Sequence, residues 1–165
     1  MNNNSLHNLY EDAVKLLKEL IQTPSFSKEE DGTAGIISRF LAQKGVATSR
    51  VGNNVFALNE YFDATKPTLL LNSHHDTVKP NPQYTKDPFQ AIEEDGKLFG
   101  LGSNDAGGPL VSQIATFLYF YHQKDLSYNL ALAVRAALLE WFRAAELSCD
   151  RAATLVNRDP LAPFI

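Results

Sequence analysis

The sequence predicts an α/β fold, a layered sheet flanked by helices, and three observations carry that reading. Apolar residues recur at helical spacing in some segments and as short runs bounded by turn residues in others. The two kinds of segment alternate along the chain, which is the pattern of an α/β layer structure. With 165 residues and 44% hydrophobic content, the chain is long enough to bury the core of one globular domain.

Taken in order, Leu6, Leu9, Tyr10, Ala13, Val14, Leu17, Leu20 and Ile21 predict an amphipathic first helix, which Pro24 stops after Thr23. Ser27-Lys28-Glu29-Glu30 has capping-box spacing, and Ile36, Ile37, Phe40 and Leu41 follow it. A second helix is therefore expected from near Glu29 to Lys44, closed by Gly45. Ala47 to Arg50 and Asn54 to Asn59 read as strands around the turn residues Gly52-Asn53. Thr68 to Ser73 is an apolar run expected to form a buried strand. Lys79-Pro80-Asn81-Pro82-Gln83 is a short loop, and Glu94-Asp95-Gly96 turns a hairpin between Ala91-Ile92-Glu93 and Lys97-Leu98-Phe99. Leu110 to His122 resumes a helix behind Gly107-Gly108-Pro109, and Asn129 to Val134 is a last strand. One domain is expected up to about Val134.

Net charge is −4 and the basic residues are scattered, so nucleic acid is excluded as a partner, while small polar ligands or metal cations fit. Met1-Asn2-Asn3-Asn4 is not a basic region ahead of an apolar core, and no apolar stretch reaches membrane-spanning length, so the chain reads as cytoplasmic with no membrane partner. The single Cys149 has no disulfide partner and reads as a small buried hydrophobe.

Chemistry-bearing residues concentrate at strand ends, where open α/β sheets place ligands just beyond the carboxyl edge. His74-His75-Asp76 closes the run Thr68 to Ser73. Residues two apart on a strand point to the same side, so His74 and Asp76 can meet while His75 faces the other way. A carboxylate on one imidazole nitrogen fixes the tautomer and leaves the other nitrogen free to bind metal. Asp105, in the glycine-rich segment Gly100-Leu101-Gly102-Ser103-Asn104-Asp105, offers a second carboxylate. By residue type alone, the group reads equally as a metal site and as a surface polar cluster.

The segments Thr68 to Val78, Asp87-Pro88-Phe89 and Leu98 to Gly108 together resemble the co-catalytic zinc amidohydrolases, the family of acetylornithine deacetylase, succinyl-diaminopimelate desuccinylase, aminoacylase and carboxypeptidase G. The resemblance covers roughly residues 5 to 134 and looks closest to the deacetylase branch. It implies a zinc-binding α/β domain interrupted by a smaller lid or dimerisation domain, and hydrolysis of a small N-acyl amino acid to an amine and a carboxylate. It also implies two zinc ions, with His74 as a metal ligand, Asp105 as the carboxylate bridging the metals, and Asp76 as the catalytic-site carboxylate that orients His74. Leu101 stands where many members have Arg, and Ala106-Gly107 where many have Met-Lys.

The resemblance further implies a Glu-Glu pair just after the strand ending at Val134, but Arg135-Ala136-Ala137-Leu138-Leu139-Glu140 follows instead. Glu140 falls in a helical pattern, and the last histidine is His122, so the remaining ligands have no candidates. Zinc binding is expected to be weak or confined to a single site. The chain is accordingly read as an amidohydrolase part, 1–134, that is incomplete and inactive by itself. A non-catalytic fragment or fusion that binds at most one metal or a protein partner is the alternative, with self-association through an exposed sheet edge. Residues 135–165 read as a foreign helical tail. Leu138 to Ala153 resembles part of a His-Glu-x-x-His membrane-associated metallopeptidase, with Glu146 and Asp150 at its acidic positions, yet that motif occurs nowhere in this chain. The tail's apolar stripe of Leu138, Leu139, Phe142, Ala145, Cys149, Ala152, Leu155 and Val156 predicts a helix over 136–156.

Overall fold

A computed structural model describes residues 3–135, so the tail expected over 135–165, with Glu140, Glu146, Cys149 and Asp150, lies outside the described residues except for the backbone of Arg135. The element order is α1 (Asn3–Ile21), α2 (Asp31–Gln43), β1 (Thr48–Val51), β2 (Asn54–Leu58), β3 (Thr68–His74), β4 (Ile92–Glu94), β5 (Lys97–Phe99), α3 (Gly108–Phe120) and β6 (Asn129–Arg135), with an irregular turn Ser103–Gly107 leading into α3. The main sheet is four-stranded in the order β1-β2-β6-β3, and β4-β5 form a separate two-stranded ribbon. β6 runs antiparallel to β2 and parallel to β3, with His74 in register with Arg135. The carboxyl ends of β3 and β6 thus meet at one edge of the sheet. A parallel pair needs a crossover, and α3 lies within it.

Side-chain alternation decides which sheet face is covered. Val55 and Ala57 on β2, and Leu130, Leu132 and Val134 on β6, pack in one buried cluster with Leu16 and Leu20 of α1, Ile37 and Leu41 of α2, and Leu110, Ile114 and Phe117 of α3. Full burial of each large side chain there contributes about 1.5–3 kcal/mol before the entropy of ordering it is counted. The described helices therefore share one core on one face. In register on the other face, Leu58, Ala131 and Leu70 form a row, and both leucines are exposed.

Two expectations change. Thr68 to Ser73 is a strand, but it is an edge strand and not a buried one: Leu69 and Leu70 are 51% and 58% exposed, because among the described residues β3 is paired only on its β6 side. A continuous apolar run does not reveal how many neighbours a strand has. The capping box also fails to form, since Glu30 occupies the N-cap of α2 with no side-chain cap bond and the Ser27 hydroxyl bonds to Asp76 instead. The turns agree with their residue types. Gly45 ends α2 in the left-handed region, Gly52-Asn53 joins β1 to β2, and Asp95-Gly96, both at positive φ, joins β4 to β5.

Candidate functional site

His74 is the last residue of β3, and beyond it the chain bridges to Phe26 at Thr77. Alternation sends its ring and the Asp76 carboxylate to the same side, with Nδ1 3.2 Å from Asp76 Oδ1. The same nitrogen lies 3.3 Å from the Asp76 carbonyl. Both neighbours only accept, so Nδ1 carries the hydrogen. Asp76 is held from its other side by Ser27, whose hydroxyl donates to Oδ2 at 2.7 Å. The hydrogen bond from His74, followed by that from Ser27, holds the Asp76 carboxyl at about 2, well below the usual carboxylate range, against the opposing effect of burial. Reciprocally, the Asp76 hydrogen bond raises the His74 pKa, with the Asp76 and Asp105 charges adding to it and partial burial opposing it.

Asp105 arrives from the irregular turn Ser103–Gly107, in which Asp105 and Ala106 leave helical φ/ψ and the peptide between them is cis. Two glycines make this path possible. Gly102 sits at φ +75, and a Cβ there would lie 2.6 Å from Thr77 Cγ2. The Gly107 N–H donates to the Gly102 carbonyl at 2.7 Å, and a Cβ on Gly107 would lie 2.7 Å from that same oxygen. The turn closes tightly enough to bring Asp105 Oδ1 within 3.1 Å of His74 Nε2. The Asp105 side chain is 92% exposed, so this contact faces an open cleft, whose walls include Val78, Tyr84 and Leu101.

The proton positions make this contact informative. With Nδ1–H committed to Asp76, neutral His74 presents a lone pair at Nε2 to a carboxylate oxygen, and two acceptors at 3.1 Å repel. The arrangement requires positive charge, supplied by a second ring proton or by a cation. Zinc bonds of about 2.0–2.2 Å to nitrogen and oxygen at a near-tetrahedral angle put the two donor atoms about 3.3 Å apart, close to the spacing found here. His74 and Asp105 can therefore share a metal, with Asp76 behind them. They are two donors only: among the described residues no group of three or more His, Cys, Asp or Glu side chains is placed to hold a metal ion. The two-ion donor set that the resemblance implies is not supplied by these residues.

The structure thus gathers His74, Asp76 and Asp105, and it leaves His122 elsewhere, paired with Glu60. His75 points inward as alternation predicts, 7% exposed, and its pKa is lowered chiefly by burial. Ser27 was missed as a site residue because its local spacing suggested a cap; its partner lies across the fold, and no local pattern signals that contact. No helix among the described residues is long and apolar enough to cross a membrane.

Comparisons with known proteins bear on this arrangement. Residues 70–137, which contain His74, Asp76 and Asp105, match the profile of Peptidase family M20/M25/M40. The chain is 30% identical over 136 residues to a succinyl-diaminopimelate desuccinylase of Beijerinckia indica, a match covering 75% of this chain and 35% of that protein. It therefore spans only about a third of that relative's length. Its fold is similar to human carnosine dipeptidase 1, with TM-score 0.64 and 21% identity, over 89% of this chain and 38% of the other. It is also similar to an M20 family metallo-carboxypeptidase from Sulfolobus solfataricus, with TM-score 0.60 and 22% identity, over 82% of this chain and 31% of that one. At these identities the two structures speak for the fold alone.

Proposed function

We propose, from the match of residues 70–137 to peptidase family M20/M25/M40, that this chain carries the metal-holding part of an amide hydrolase acting on a small N-acyl amino acid. In this reading His74 Nε2 and Asp105 Oδ1 hold a divalent cation, zinc, and Asp76 holds His74 in the Nδ1–H tautomer. One observation carries it: Nε2 faces a carboxylate at 3.1 Å while Nδ1–H is already committed.

A bound zinc ion supplies Lewis-acid polarisation of the scissile carbonyl and lowers the pKa of coordinated water. The chain's own residues do the rest of what is visible. Ser27 and His74 keep Asp76 ionised across the neutral range, and Asp76 in turn fixes the ring that meets the metal. The open cleft beside Asp105, walled by Tyr84 and Leu101, is where a small acyl group would enter. The proton-accepting glutamate that the resemblance places after β6 has no counterpart in Arg135-Ala136, so hydrolysis by this chain alone is not expected.

A second reading, a non-catalytic module binding one metal, is favoured by the two-donor count among the described residues. Calorimetric zinc titration of the protein and of His74→Ala separates both readings from a site that holds no metal. Binding in the wild type that is lost in the variant is expected, and equal heats in the two remove the metal assignment. Incubation of the zinc-loaded protein with N-acetylornithine and with N-succinyl-diaminopimelate then decides between the readings. Release of free amine, abolished by His74→Ala, shows that the chain is catalytic as it stands, and no release supports the module.

A further inference from the structure

The residue between His74 and Asp76 is the buried histidine His75, and its surroundings are built with more care than the site above it. The His75 Nε2 lies 3.0 Å from the Asn53 carbonyl, which can only accept, so Nε2 carries the hydrogen. Nδ1 then accepts from the Thr33 hydroxyl at 2.7 Å. The His75 backbone carbonyl receives the Ser25 hydroxyl at 2.7 Å, and Ser25 Oγ lies 2.8 Å from Thr33 Oγ1. One residue further, the Thr77 N–H donates to the Ser25 carbonyl at 2.7 Å. Asn53 is in turn fixed by its Nδ2–H bond of 2.7 Å to Glu30 Oε2, and Glu30 is itself 2% exposed.

From this geometry we infer that His75 is a positioning residue for the metal-holding pair, a role that rests on the proposed function. Both ring nitrogens and the carbonyl of residue 75 are anchored to three separate parts of the fold: the start of α2, the β1–β2 turn and the Ser25–Ser27 loop. Residues 74 and 76 are its immediate neighbours, so the position of residue 75 sets the position of both. The same loop reaches Asp76 directly through Ser27. A site of this kind works only when its groups are held within about 0.5 Å of their productive geometry. Beyond the end of β3 the chain is held by the Phe26–Thr77 bridge on one side of residue 76 and by the anchored His75 on the other.

Thr33→Val tests this, because it keeps the shape of residue 33 and removes the hydroxyl that reaches Nδ1, a hydroxyl that also lies 3.0 Å from the Glu30 carbonyl and 2.8 Å from Ser25 Oγ, so His75→Phe is read beside it. Thr33→Ser restores the hydroxyl, and His75→Phe replaces the ring without its nitrogens. Two readouts are taken. In metal-free protein at a pH high enough to leave His74 neutral, imidazole nitrogen NMR shifts report its tautomer; the wild type and Thr33→Ser are expected to show Nδ1–H, and Thr33→Val and His75→Phe a mixture. In zinc titrations, Thr33→Val and His75→Phe are expected to bind about tenfold more weakly, with Thr33→Ser within about twofold of wild type. A lowered thermal midpoint with unchanged tautomer and unchanged zinc affinity shows a core histidine and overturns the positioning role. Failure of the wild type itself to bind zinc overturns the proposed function, and the tautomer readout then decides the positioning role separately.

Discussion

Replacing His74 with Ala gives a pH signature that can be worked from the site. The folded Asp76 carboxyl sits at about 2 against an ordinary 3.8, equivalent to about 2.4 kcal/mol if the whole difference were expressed as stability. The side chains of His74 and Asp76 are 39% and 25% exposed, so solvent screening reduces this to about 1 kcal/mol. Its sign follows from the direction of each displacement. The depressed carboxyl stabilises the fold above pH 3.8, and that contribution is lost as pH falls toward 2. The raised histidine contributes fully below 6.5, and its share is lost as pH rises through the folded value. The contact is thus strongest between about pH 4 and 6.5 and weakens on both sides. Urea unfolding in chelator at pH 3, 5 and 8 measures it. The stability difference between wild type and His74→Ala is expected to be largest at pH 5, and a difference that is flat across the three values refutes the pairing.

Asp76→Asn keeps a group of the same size but removes the charge behind His74, and zinc affinity should fall by about ten- to a hundredfold in a competition titration with a chromophoric chelator. Gly102→Ala forces a Cβ against Thr77 at a left-handed backbone position, so the thermal midpoint should drop by the equivalent of about 1–3 kcal/mol, with zinc binding weakened as Asp105 shifts. Phe117→Ala removes a fully buried ring of α3 from the core shared with β6, and denaturant unfolding should show a loss of about 3–5 kcal/mol.

The elements were legible wherever local chemistry decides structure. The period of α1, the glycine closing α2, the Asp95-Gly96 turn and the apolar run of β6 all appear at their expected places. The pairing of His74 with Asp76 and the inward turn of His75 follow from strand alternation alone, which needs no tertiary knowledge. What was not legible depends on distant partners. The exposure of β3 reflects which strands flank it, and the Ser27 hydroxyl chooses Asp76, 49 residues away, over its own helix end. Asp105 stood between the two cases: its glycine-rich setting marked a turn, but only the crossover from β3 to β6 brings that turn against His74.

The parallel register of β3 and β6 gives the site its remaining logic. His74 is in register with Arg135, so β6 ends at the edge of the sheet where His74 stands. Residues placed just after such a strand join the site through chain direction alone, so carboxylates there would complete a donor set without any change elsewhere in the fold. This chain has Arg135-Ala136 at that point, a basic residue type in register with His74, where a divalent cation calls for negative charge. His74 at the end of β3 and Asp105 on the Ser103–Gly107 turn stand 3.1 Å apart, with the buried His75 next to His74 in the chain. On the proposed reading, carboxylates in place of Arg135-Ala136 would add donors beside His74 and Asp105, and a variant carrying them is expected to bind zinc more tightly in the same titration.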